Sequence, residues 1–240
     1  MDKVIKIVCS QTTANYRKPT AIDIQESFYL PPYSTVIGMI HKACDFSSYR
    51  AMKVSIQGSY ASSFTDMYIR YFLDPSFENG RHQFFTTRED GGRGGITRSL
   101  GYAETLSDIK LVIHVVCDDE KDTESVIDGL KNPKTYLSLG RHEDLLCIES
   151  VELVDVIQVN EVKLAMDTYV PMDIYKRSIK SEEPDNEGVI LNLNKVFDRT
   201  SGYRVWEKKR VKYLTSGGHF SADSNEFLRE KDSEIGIYLA

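Results

Sequence analysis

Phe28-Tyr-Leu-Pro-Pro-Tyr-Ser-Thr-Val-Ile-Gly-Met-Ile-His-Lys-Ala-Cys44 joins an extended segment directly to an apolar helix. Pro31 and Pro32 fix φ near −65° and push the residues before them into extended geometry. Val36, Ile37, Ile40 and Cys44 then recur at helical spacing, which predicts a helix over roughly residues 34–45. Ser34 or Thr35 is the expected N-cap, its hydroxyl accepting from an orphan amide of the first turn. A helix start of this kind, set against an aromatic-lined loop, attracts anions, phosphate among them. Tyr33, Ser34 and Thr35 are therefore candidate ligand contacts.

Upstream, Val4, Ile5, Ile7 and Val8 predict a strand over roughly 3–12, followed by a long connection, 13–32, that carries Arg17-Lys18-Pro19. If that connection folds back, Arg17 and Lys18 meet Tyr33 and Ser34 at the helix start. Two cations beside an aromatic ring suit an RNA phosphate and a stacked base. The alternative is a solvated charge pair and a tyrosine packed on the prolines.

Downstream, Met52-Lys-Val-Ser-Ile-Gln-Gly-Ser-Tyr alternates with period two and predicts a second strand, and Met67-Tyr-Ile-Arg-Tyr-Phe-Leu a third. Residues 74–105 are polar and glycine-rich, with Arg81, His82, Arg88, Arg93 and Arg98 among Phe84, Phe85 and Tyr102. A long hairpin or mobile loop fits best. Leu111-Val-Ile-His-Val-Val-Cys117 predicts a buried strand. A short helix at 123–131 is closed by Asn132-Pro133, and another strand runs from Val151 to Val162. The order strand, helix, strand, strand, helix, strand matches a ferredoxin-like βαββαβ domain over residues 1–165. Ser181-Glu-Glu-Pro-Asp-Asn-Glu-Gly188 predicts an exposed turn within a smaller β-rich extension, 166–240. The expected class is α+β.

The 240 residues are 41% hydrophobic and 28% charged, ordinary for a folded domain, and no apolar run reaches the length of a membrane helix. The N-terminus lacks the pattern of a signal peptide, so a cytoplasmic protein without membrane contact is expected. Cys9, Cys44, Cys117 and Cys147 are scattered, which suggests buried thiols rather than a zinc site or disulfides. The net charge of −6 argues against free-standing nucleic-acid binding but leaves room for a local basic groove within a larger assembly.

No Walker loop, nucleophile elbow or dinucleotide fingerprint is present, and the five histidines are far apart in sequence. No metal, cofactor or catalytic residue is assigned. Gly91-Gly-Arg-Gly-Gly95 reads either as an Arg-Gly segment following a nucleic-acid backbone or as a flexible loop tip. Gly140-Arg141-His142 reads either as a glycine turn carrying Arg141 onto phosphate or as an exposed terminus. Lys208, Lys209, Arg210 and Lys212 suggest a solvated strand face, and His114 a satisfied sheet histidine.

Arg17-Lys-Pro, the Pro-Pro-Tyr-Ser-Thr-Val-Ile-Gly-Met run and Tyr136-Leu-Ser-Leu-Gly-Arg-His-Glu-Asp144 together resemble the fifth family of CRISPR-associated proteins, in the RAMP superfamily, and most of all its type I-B form. The resemblance is strong over residues 1–165. It implies a ferredoxin-like, RRM-related domain with a long β-hairpin thumb. It also implies a structural role: capping one end of the Cascade surveillance complex and gripping the 5′ handle of the CRISPR RNA. The partners implied are the backbone and large subunits, with target DNA near the handle end. Arg17, Lys18, Tyr33, Ser34, Thr35, Arg141 and His142 would contact the handle, and Arg88, Arg93 and Arg98 would clamp it from the thumb. A relative in type I-C systems cleaves precursor RNA, so a metal-independent endoribonuclease is the first alternative. A protein-only scaffold docking through residues 203–213 is the second.

Overall fold

The computed structural model describes residues 3–21, 24–178, 188–198, 202–221 and 227–240. The turn expected at 181–187 lies outside them. β1 (Lys3–Ala14) is followed by three short strands, β2 (Tyr16–Arg17), β3 (Ile24–Gln25) and β4 (Ser27–Phe28), and then by α1 (Tyr33–Ala43). β5 (Met52–Ser59) leads into β6 (Ser62–Asp74), β7 (Phe84–Thr87) and the long β8 (Arg93–Cys117). α2 (Lys121–Lys131) returns the chain to β9 (Cys147–Val159). The C-terminal part holds β10 (Glu161–Lys163), β11 (Asp167–Pro171), α3 (Met172–Ser178), β12 (Gly188–Asp198), β13 (Val205–Leu214), β14 (His219–Ser221), β15 (Phe227–Glu230) and β16 (Gly236–Ile237).

The strands join in the order β12-β13-β11-β5-β8-β1-β9-β15-β16. Every pairing along that path is antiparallel; β3 alone adds to β8 in parallel. The result is an α+β molecule with one large antiparallel sheet and few helices. The strands after residue 165 are part of this sheet, because β11 pairs with β5 through Thr168 and Gln57. No described helix is long and apolar enough to cross a membrane.

Period-two alternation decides the core. Ile5, Ile7 and Cys9 of β1, Val54 and Ile56 of β5, and Leu111, Ile113 and Val115 of β8 turn to one face. Val36, Ile37, Met39 and Ile40 of α1 and Val126 and Leu130 of α2 cover them. Each fully buried aliphatic side chain contributes about 1.5–3 kcal/mol relative to leaving it in water.

The opposite face carries polar residues, and the C-terminal segment closes over them. Ser55 accepts the Tyr238 amide at 2.9 Å, and Gln57 donates to the Gly236 carbonyl. Lys6 and His114, cross-strand partners, both reach Glu230, at 2.8 and 2.7 Å. Val4, Val156 and Ile237 pack beside this polar cluster.

Three local expectations are corrected. α1 begins at Tyr33, with Pro32 as its N-cap and no side-chain cap; the Pro32 carbonyl takes the Thr35 amide at 2.9 Å. The extended φ and ψ of Pro32 place that carbonyl at the helix start, so neither Ser34 nor Thr35 is the cap. The hairpin is longer than residues 74–105. β6 and β8 pair without interruption from Ser62↔Ser107 to Asp74↔Gly95. The stretch expected as a third core strand thus lies on an outlying ribbon, and β8 runs from the ribbon into the core as one strand. Finally, Cys147 is exposed, Cys44 and Cys117 are half-buried, and only Cys9 is buried; all four are free thiols.

Candidate nucleic-acid interface

The ribbon of β6 and β8 has two unlike faces, set by pairing register. Tyr68, Arg70 and Phe72 stand on one face opposite Gly101, Ser99 and Thr97. β7 extends the same face with Phe85, paired to Gly95, and Arg93 lies two residues before that glycine. Small residues across the ladder leave room for the rings. A Cβ at Gly101 would sit 2.8 Å from the Tyr68 ring, and one at Gly95 would sit 2.5 Å from the His82 imidazole.

The Arg70 guanidinium lies 5.8 Å from both the Tyr68 and Phe72 ring centres, and it donates to the Tyr68 hydroxyl at 3.1 Å. Arg93 sits 4.6 Å above Phe85. Neither arginine has a carboxylate partner among the described residues. Alternating cations and aromatic planes suit a single-stranded nucleic acid, because the rings stack bases and the guanidinium groups take phosphates.

The other face is aliphatic. Met67↔Tyr102, Ile69↔Leu100, Tyr71↔Arg98 and Leu73↔Ile96 form its ladder. Met67, Ile69, Leu73 and Leu100 are each more than half exposed. Arg98 stands on this face, 5.5 Å over Phe84.

At the base of the ribbon three segments meet on Asn15. Its side-chain amide donates to the carbonyls of Gln25 and Glu104, at 2.8 and 2.6 Å, and its backbone amide donates to Asp144 Oδ2 at 3.0 Å. Gln25 also donates to Tyr68. So the connection after β1, the ribbon base and the loop after α2 are tied together. Gly140 makes the turn in that loop with φ +103°, where a Cβ would meet the Asn15 carbonyl at 2.8 Å.

The fate of each expected contact follows. Arg17 is exposed on β2, its guanidinium 3.4 Å from the Ala21 carbonyl. Lys18 pairs with Glu26 at 3.2 Å and lies 5.9 Å from the Tyr29 ring centre. Ser34 and Thr35 are half-buried on the first turn of α1. His142 is 98% exposed and beside Glu143. Arg88 is tied to Asp90 at 2.6 Å and to the Pro75 carbonyl at 3.0 Å.

Two expected contacts are corrected. Tyr33 is fully buried against Tyr169, and burial pushes its hydroxyl pKa well up, so it offers no face to a ligand. The helix starts one residue earlier than its sequence suggests, which turns that ring inward. Arg141 forks onto Asp144, with Nη2 at 2.8 Å and Nε at 3.1 Å, and Glu143 lies at 3.3 Å. Its hydrogen bonds to Asp144 raise its pKa further. The guanidinium is spent on holding its own loop.

Arg70, Tyr68 and Phe72 escaped the sequence reading. Their period-two spacing was visible, but apolar residues on both faces made Met67–Leu73 look like a core strand. Lys212, expected on an exposed basic face, is buried, donating to the Tyr175 hydroxyl at 2.6 Å. Among the described residues no cluster of His, Cys, Asp and Glu is arranged for a metal ion.

A family model described as "CRISPR-associated protein (Cas_Cas5)" matches residues 5–207, most of the chain. The chain belongs to the Cas5 family of CRISPR-associated proteins. No curated protein matches it significantly. Among solved structures, a chain of a "CRISPR RNA-guided surveillance complex" is similar at 13% identity, with TM-score 0.54, covering 89% of this chain and 90% of that one. A structure titled "Crystal structure of Cas protein" aligns at 11% identity and TM-score 0.39, over 89% of this chain and 95% of that one. A chain of a Type III-B Cmr-beta complex aligns at 13% identity and TM-score 0.39, over 92% of this chain and 86% of that one. The first of these likenesses supports the fold of the Cas5 chain; the residues above carry the interface.

Proposed function

We propose that this chain is the non-catalytic subunit of a type I CRISPR surveillance complex that caps and holds the 5′ handle of the CRISPR RNA. The observation that carries this reading is the Arg–aromatic face of the ribbon: Tyr68, Arg70, Phe72, Phe85 and Arg93 in one row. Arg17 and Lys18 stand at the end of the same structure, joined to it through Asn15 and Gln25. Arg98 and the aliphatic face are free to meet protein. Family membership and the likeness to a surveillance-complex chain support the assignment to such an assembly.

The finer parts of the proposal rest on the same footing. The core is ferredoxin-like: the order β1-α1-β5-β8-α2-β9, with strands arranged β5-β8-β1-β9, is the arrangement that a βαββαβ fold requires. The system is type I-B, the partners are the backbone and large subunits with target DNA beside the handle, and the site of action is the cytoplasm.

The chain holds RNA without cutting it. A general base must be within hydrogen-bond reach of the attacking 2′-hydroxyl. His41 is engaged at both ring nitrogens, His82 accepts from the Glu78 amide, and His114 is buried on Glu230. Incubation of the purified protein with labelled repeat RNA in EDTA should leave the RNA intact; a discrete cut ending in a 2′,3′-cyclic phosphate would refute this part.

The holding role is tested by filter binding of handle RNA to the assembled complex across a salt series. Each phosphate contact on a single strand contributes about 0.7 to the slope of log K against log salt. Arg70→Ala and Arg93→Ala should each lower affinity and flatten the slope by about that amount. Unchanged affinity in both would defeat the proposal.

A further inference from the structure

A second aromatic cleft lies away from the ribbon, between α1, the loop after it and the β12–β13 pair. It encloses about 540 Å³, within the few-hundred to thousand Å³ range of small-ligand pockets. His41, Phe46, Tyr49, Phe197 and Trp206 supply its walls. Their rings are held in place. The His41 and Tyr49 planes are stacked within 6° of parallel, 5.6 Å apart, and Phe197 meets Trp206 edge-on at 5.2 Å. His41 Nε2 accepts the Arg50 amide at 2.9 Å while Nδ1–H donates to the Ile37 carbonyl at 2.9 Å, so this ring is a fixed neutral wall.

Charge narrows the ligand. Arg50 lies 5.6 Å from the Phe46 ring centre and Arg204 4.9 Å from that of Phe197. Lys195 lines the cleft itself, with Glu207, Asp118, Lys209 and Lys53 acting on it as neighbouring charges. Cations at the rim repel an ammonium or guanidinium guest, which an aromatic cage alone would otherwise suit. They attract a phosphate. Flat aromatic walls with a cationic rim fit a nucleobase carrying its phosphate. Ser34, on the first turn of α1, opens into the same cleft and supplies a hydroxyl to a base edge.

We propose that the cleft between α1 and β12–β13 is a nucleotide site, in which a base packs against Tyr49 and Trp206 and its phosphate meets Lys195, Arg50 or Arg204. The nucleotide comes from one of two sources, an unstacked base of the bound RNA or a free mononucleotide. The first source rests on the RNA-holding role proposed above; the second does not.

Gly38 provides the blocking variant. It lines the cleft, and a Cβ there meets nothing within 4 Å, so Gly38→Leu fills the space while α1 stays intact. Gly38→Ala is the control; it favours the helix by about 1 kcal/mol. Two arms separate the sources. In the assembled complex carrying 4-thiouridine-substituted RNA, photocrosslinking followed by peptide mapping should give nucleotide adducts at Tyr49, Phe46 or Trp206. Gly38→Leu should remove those adducts and leave adducts on the ribbon. With the free chain, AMP, CMP, GMP and UMP are titrated against the fluorescence of Trp206, the sole tryptophan. Saturable quenching that Gly38→Leu weakens about tenfold assigns the free nucleotide as guest. Ribbon adducts without cleft adducts, together with flat titrations, overturn the cleft and spare the RNA-holding role. Absence of any RNA adduct on this chain removes that role, while the titrations still decide the cleft. Peptide crosslinks from another subunit filling the cleft, with flat titrations, overturn the proposal in favour of a protein guest.

Discussion

Asp144 is 1% exposed and gathers the backbone amides of Asn15 and Arg141 as well as the Arg141 guanidinium. Its own carbonyl takes the Gln11 side chain at 2.9 Å. Removing one partner of such a buried pair strands the others, which costs about 3–5 kcal/mol. Asp144→Ala should therefore lower the urea unfolding free energy by about 3 kcal/mol. Arg141→Ala should destabilise as well, and any loss of RNA affinity in it should follow from the displaced loop. Equal stability in both variants would show that the fork is ornamental. A second buried cluster gives the fold a pH dependence. Burial pushes the Glu230 carboxyl up, but hydrogen bonds from His114, Lys6 and Ser233 more than offset this and hold it at about 2. Burial lowers the His114 pKa below its usual value, so the ring is neutral and donates Nε2–H to the carboxylate. Both groups bind protons more readily when unfolded. Stability is thus complete above about pH 6.5, falls as the unfolded histidine charges, and falls further between about 4.5 and 2 as the unfolded carboxylate protonates. Urea midpoints across that range should decline, and Glu230→Gln should flatten the lower part of the decline. A pH-independent midpoint would contradict this account.

The ribbon and α1 divide the elements by what alternation can reveal. In β1 and β5 one side is apolar and the other polar, so their positions were legible from residue order. In β6 both sides carry apolar residues, a pattern shared by a core strand and by a ribbon that presents each face to a different neighbour. Only pairing register distinguishes them, and register is a long-range property. The residues of the ribbon up to Tyr102 take no part in the buried clusters. Replacing residues 70–99 by an Asn-Gly turn, which suits a two-residue hairpin, should leave the thermal midpoint within a few degrees of the parent. The same change should abolish the salt-sensitive share of RNA binding. A collapse of the midpoint would place the ribbon in the folding core. For α1, the spacing of Val36, Ile37 and Ile40 located the buried stripe, but the first residue of the helix decided whether Tyr33 faced ligand or core. Boundaries shift by a residue or two from pattern alone, and here that shift matters.

At the scale of the molecule, an acidic chain can hold RNA because its charges are sorted. Arg81 and Arg88 are neutralised by Asp74, Glu78 and Asp90, while Arg70 and Arg93 keep company with rings. The net charge of −6 therefore says little about any one face. The same sorting explains which candidates sequence could find. Residue type named Arg93, Arg17 and Lys18; whether a guanidinium is spent on a carboxylate, as with Arg141, depends on a turn at Gly140 that no spacing rule reports. Affinity of the assembled complex for handle RNA, measured for Arg70→Ala/Arg93→Ala against Arg81→Ala/Arg88→Ala at several salt concentrations, addresses the central claim most directly. The first pair should weaken binding by at least about tenfold, at about 1–3 kcal/mol for each base-stacking or phosphate group disturbed, with a flatter salt dependence. The second pair should bind like the parent. Equal losses in both pairs, or none in the first, would contradict the assignment of the ribbon's Arg–aromatic face to RNA.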